Sequence, residues 1–154
     1  MDDLVAFLNA RLDERQGRAE QAQPGPWAVW QSEMPGEFVV HGLNERTGQP
    51  DPARVATAHG LRCARADAVL IADNDPAYVL ADIAAKRQII AMHERAVSEY
   101  DTRRDGVPER VRFVFCGGCQ AEDGVITGQW PCDTLRLLAL PFAGHSSFKE
   151  EWRV

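Results

Sequence analysis

The sequence predicts an α+β fold, and three features carry that expectation: helical periodicity of apolar residues at the N-terminus and in the middle, short β-branched and aromatic runs divided by turn residues, and a cysteine knuckle followed by a short helix. The expected architecture is a small antiparallel sheet, a long central helix and a C-terminal knuckle-plus-helix element. With 154 residues the chain has the length of one domain, long enough to bury roughly 70% of its unfolded surface. One domain over residues 1–154 is the expectation.

Residues 2–22 read as an amphipathic helix, because Leu4, Val5, Leu8 and Leu12 recur at helical spacing and Asp13, Glu14, Arg15 and Arg18 fill the other face. Pro24, Gly25 and Pro26 stop it. Trp27–Trp30 and Glu37–His41 then form a hairpin pattern around Met34, Pro35 and Gly36, with a third short strand at Arg54–Thr57. Trp27 and Trp30 are read as packing residues.

Residues 64–73 are an alanine-rich helix, and Asn74-Asp75-Pro76 supplies a capping residue followed by proline at the first helical position. The next helix is expected from Pro76 to about Ser98, with Val79, Ile83, Ile90, His93 and Val97 on one face. Asp101–Glu109 reads as a charged loop, residues 111–115 as a strand, and Glu122–Gln129 as a glycine-containing loop. Asp133–Leu140 reads as a helix stopped by Pro141, and Phe142, Phe148 and Trp152 are docking points for the tail.

Composition excludes several classes of function. A net charge of −6 argues against nucleic-acid binding, which needs a cationic footprint. The basic group Arg103, Arg104, Arg110 and Arg112 is interrupted by Asp105 and Glu109 and reads as a solvated loop. No apolar run approaches the roughly 18 residues of a membrane span, and Asp2 and Asp3 stand where a secretory signal carries positive charge, so the expectation is a cytoplasmic protein without a membrane partner.

In a reducing compartment, cysteines serve as ligands or buried thiols more often than as disulfides. Cys116 and Cys119 have the two-residue spacing of a zinc knuckle, and the glycines between them permit positive φ angles. Cys132 lies at a predicted helix start, where free amides and the helix dipole stabilise a thiolate. A structural zinc needs a fourth ligand. His93 is the choice, since a hairpin-like return of the chain would bring the helix end back to the knuckle. Cys63 and His145 are the competitors; His41 and His59 have no patterned neighbours.

Other chemistry fits poorly. A zinc deaminase would need His-x-Glu and Pro-Cys-x-x-Cys elements, and both are missing. A thioredoxin-like pair would open a helix, whereas the residues after Cys119 are poor helix formers. There is no phosphate-cradling loop, no nucleophile elbow and no His-Glu-x-x-His element. The reading leans away from an enzyme and towards a zinc-stabilised module that binds another protein, with a metal-dependent enzyme as the alternative.

Several segments together resemble a family of small actinobacterial and actinophage proteins classed as a domain of unknown function. They are Met1–Asp13, Pro24–Trp27, Asn74–Ala77 with Ala85–Arg87 and His93-Glu94, and above all Trp130–Pro141 and Glu150–Arg153. The resemblance implies a metal set at His93, Cys116, Cys119 and Cys132, without an activity attached. Pro24–Trp27 and Ala66–Ala68 are also similar to accessory proteins of phage genomes, which implies a phage or prophage origin.

Overall fold

A computed structural model describes residues 3–44, 46–60, 62–119 and 129–154. The elements are helix α1 (Asp3–Gln21), strands β1 (Trp27–Gln31), β2 (Glu37–Leu43) and β3 (Pro50–His59), helices α2 (Ala64–Asp73) and α3 (Pro76–Met92), strands β4 (Arg95–Arg104) and β5 (Val107–Cys116), and helix α4 (Asp133–Ala139). Short 3-10 turns occupy Gly117–Cys119, Leu140–Phe142 and Glu150–Trp152. This is the expected mixture of helices and small antiparallel sheets. Contacts divide the chain into two compact units, one of residues 13–84 and one of residues 1–12 with 85–154.

In the unit of residues 13–84, β1, β2 and β3 form an antiparallel sheet in that order. One face of it is covered by α2, which buries Ala64, Ala68 and Ala72 against Val40 and Ala58, with Trp27, Val29 and Phe38 packed around them. Alanines four residues apart give the helix a flat stripe, so it can settle close to the sheet. The opposite face of β2 carries Glu37, Val39 and His41, because side chains alternate across a strand. Asp75 caps α3: its carboxylate accepts the Tyr78 N–H at 2.8 Å, directly before Pro76 at the first helical position.

In the other unit, the start of α1 buries Leu4, Phe7, Leu8 and Leu12. Phe7 meets three aromatic rings of the C-terminal tail, with centroid distances of 6.3 Å to Phe142, 6.1 Å to Phe148 and 5.0 Å to Trp152. The tail's three expected docking residues therefore do dock, all on one ring.

The structure corrects the middle of the chain. The central helix ends at Met92, not near Ser98, and Asp101–Glu109 is not a loop. Residues 95–116 form a long two-stranded hairpin in which Arg104 pairs with Val107 across the turn Asp105-Gly106. Both turn residues have positive φ, 52° and 84°, as the tight turn that matches strand twist requires. Val97 thus belongs to β4. The basic group lies on the strands, where Arg110 pairs with Asp101 at 3.1 Å and Arg112 with Glu99 at 3.6 Å. The predicted loop Glu122–Gln129 lies outside the described residues up to 128; Gln129 makes a bridge to Phe115.

The tight helix-on-sheet contact gives a paired expectation. Ala68→Leu should destabilise the protein by about 1–3 kcal/mol through overpacking, while Ala66→Leu on the exposed side of the same helix should stay within about 0.5 kcal/mol of the parent. Chemical denaturation of both variants measures the difference.

Candidate metal centre

Four residues converge where α3, the hairpin and α4 meet. The α3 ladder runs on to His93, whose N–H is shared between the carbonyls of Ile89 and Ile90, each at 3.2 Å. The chain then turns into β4, whose first residue Arg95 pairs with Cys116 at the end of β5. Ten paired residues on each strand thus return the chain to its starting point, the hairpin-like return that His93 required.

The knuckle is fastened to the helix end by backbone. Gly117 N–H donates to Glu94 O at 2.8 Å. At Gly118 a Cβ atom would stand 2.2 Å from the Met92 carbonyl oxygen and 3.3 Å from the His93 Cα. No side chain fits there. The glycine is needed for close approach and not, as the sequence suggested, for a positive φ, since neither Gly117 nor Gly118 has one. The fourth residue, Cys132, is the N-cap of α4 in extended conformation, and its side chain makes no capping hydrogen bond.

The resulting geometry is that of a metal shell. The Nδ1 atom of His93 lies 3.4 Å from Cys116 Sγ, 3.4 Å from Cys119 Sγ and 3.5 Å from Cys132 Sγ. All four donor atoms fall within 4.8 Å of one another. A tetrahedral zinc with sulfur at about 2.3 Å and nitrogen at about 2.0–2.1 Å has nitrogen–sulfur edges of about 3.6 Å, so these three edges are compatible with such an ion at the centre. Cys116 and Cys132 are buried, and none of the cysteines is in a disulfide. These residues could hold a metal ion.

Without a cation Cys119 resists ionisation. Burial, then hydrogen bonds that the Cys119 S–H donates to Cys116 and Cys132, and the charge those two thiols would carry, push the Cys119 thiol up to about 12. A metal has to displace these protons, so binding and proton release are linked.

The competing ligands lie elsewhere. Cys63 is exposed at the N-cap of α2. His145 is engaged in the tail: its Nδ1 accepts the Ser147 N–H at 3.0 Å, its Nε2 faces the Arg11 guanidinium, and its ring stands 5.8 Å from that of Phe7. His41 and His59, which lacked any sequence pattern, share the open face of the three-stranded sheet with Glu37. Alternation within β2 and β3 was only a partial signal for that grouping, since the pairing of the strands completes it.

Fold and site together define a small α+β protein with a candidate Cys3His metal centre. The chain belongs to a family of unknown function (DUF6221), whose profile matches residues 1–154. It matches no curated protein and no solved structure. Among the described residues no helix is long and apolar enough to cross a membrane.

Two outcomes are expected from this geometry. Gly118→Ala should cost most of the bound metal on purification, while Gly117→Ala, whose new Cβ would meet atoms at an ordinary 3.5 Å or beyond, should keep it. Metal affinity should also fall as pH is lowered, by about tenfold per pH unit for each proton released, as a competition titration with a chelator would show.

Proposed function

We propose that this protein is a zinc-stabilised module that binds another protein, with His93, Cys116, Cys119 and Cys132 as the ligands of one structural zinc. The closed donor set carries the reading. Four protein ligands complete a tetrahedral shell, whereas a catalytic zinc keeps one position for water or substrate. Three sulfurs and one imidazole also suit zinc better than calcium or magnesium, which prefer oxygen. The same closure weighs against the metal-dependent enzyme.

The surface best suited to a partner is the β4–β5 hairpin that springs from the knuckle. A two-stranded ribbon is marginal by itself in water. Here Val97, Tyr100 and Val107 are exposed on it, beside paired charges. Four free thiols suit a reducing compartment, in line with a cytoplasmic location. A single zinc-stabilised domain over residues 1–154 rests on the length of the chain. An accessory role in a phage or prophage rests on the sequence resemblance alone.

Protein purified without an affinity tag should contain one zinc per chain. His93→Ala should lose it, and His145→Ala should retain it. Retention by both variants would remove His93 from the ligand set. For the partner, the full chain with Val97→Ser and Tyr100→Ser should lose a saturable protein ligand that the parent captures from host lysate, with zinc content unchanged. Equal capture by parent and variant would place the interaction elsewhere, and no saturable ligand for either would contradict the module.

Chelation tests the role of the metal in the fold. Hydrogen exchange should speed up first in residues 93–119 and 129–140 and leave the strands of residues 27–59 protected. Uniform acceleration along the chain would contradict a local clamp.

A further inference from the structure

The open face of the three-stranded sheet is a polar cup of about 710 Å³, and Glu37 lies within it. Glu37 is the one buried charged residue among those described. Its side chain is 7% exposed, yet its basic neighbours are distant: Arg54 Nη1 is 3.6 Å from one oxygen and His59 Nδ1 is 4.0 Å from the other. Both separations exceed a hydrogen bond. Both neighbours are themselves mostly in solvent, at 59% and 66% exposed. A carboxylate offers about four acceptor positions, and these two contacts fill none of them.

The strand register builds the rest of the cup. Glu37 lies opposite His59, Val39 opposite Thr57, and Trp30 of β1 opposite Val39, so these side chains share one face. Alternation alone would place Val55 there next. A bulge intervenes, pairing Val40 with Ala56 but His41 with Arg54, so that Val55 joins the core beneath α2 and Arg54 lines the cup. Bulges commonly re-aim a side chain in this way. Trp30 and His41 form a wall, edge to face with centroids 5.4 Å apart.

We infer that this cup binds a guanine mononucleotide. Guanine is the one common base whose edge presents two adjacent N–H donors, a ring N–H and an amino group, that can meet both oxygens of a carboxylate. Adenine and cytosine place an acceptor beside their amino group, and uracil flanks its single N–H with two carbonyls; each would set an acceptor against Glu37. Trp30 supplies an aromatic platform for stacking. Arg54, freed from its long contact with Glu37, supplies a cation for the phosphate. The net charge of −6 favours a small ligand over a nucleic-acid polymer. The inference is independent of the metal centre, since none of the four metal residues lines the cup.

Calorimetric titration of the full, zinc-loaded chain with GMP, guanosine, AMP and UMP tests it. GMP should bind with a dissociation constant below about 1 mM, and AMP and UMP at least about tenfold more weakly. Glu37→Gln should weaken GMP at least about tenfold. Arg54→Ala should weaken GMP while leaving guanosine unchanged, and Trp30→Leu should weaken both. Circular dichroism and zinc content verify that each variant is folded; should Glu37→Gln unfold, the Arg54 and Trp30 variants with the base series decide. Failure of GMP to bind at up to about 10 mM, or equal affinity for GMP and AMP, would overturn the inference.

Discussion

Three thiols and an imidazole held within 4.8 Å of one another are the constraint on which one compact unit of this protein depends. Crowded, partly desolvated sulfurs repel as thiolates and gain little as thiols, which is why the Cys119 proton is held so tightly without a cation. The four donors come from three places in the chain: the end of α3, the end of β5 with its following turn, and the start of α4. A central ion would join all three at once. Structural zinc in small peptides binds with an apparent free energy of about 10–16 kcal/mol, comparable to the whole stability of an ordinary domain, so the geometry of this corner would follow the metal.

The backbone prepares that corner. The β4–β5 ladder sets the register of Cys116 against Arg95, two residues beyond His93. The Gly117 hydrogen bond to Glu94 and the close approach of Gly118 to Met92 then bring the knuckle against the helix end. An ion would add cross-links to a hairpin and a helix that are already aligned. In the other unit an alanine stripe lets a helix lie close on one sheet face, and polar residues line the opposite face.

Much of this was legible where the signal was local. The helix at residues 64–73, the cap and proline that open α3, and the stop at Pro24–Pro26 are short-range features, and each stands where the residues indicated. The Cys-Gly-Gly-Cys spacing pointed to a metal, and His93 is the histidine found beside it. The hairpin was missed because apolar residues continue past His93 at helical spacing, and Val97 fits that stripe by coincidence. Asp105-Gly106 carried the opposing signal, a two-residue turn demanding positive φ, and it outweighs periodicity when ten residues on each side can pair. The Glu37 cup was illegible for another reason. It depends on pairing between strands and on a bulge that reverses the facing of Arg54, and neither is encoded within a single segment.

X-ray absorption at the zinc edge, on native protein purified without a chelating tag, reads the donor set itself. The expected spectrum is that of a four-coordinate zinc with three sulfur ligands at about 2.3 Å and one nitrogen ligand at about 2.0–2.1 Å. A first shell containing an oxygen in place of the nitrogen or of any sulfur, or a metal-free protein with Cys116 and Cys119 joined in a disulfide, would contradict it.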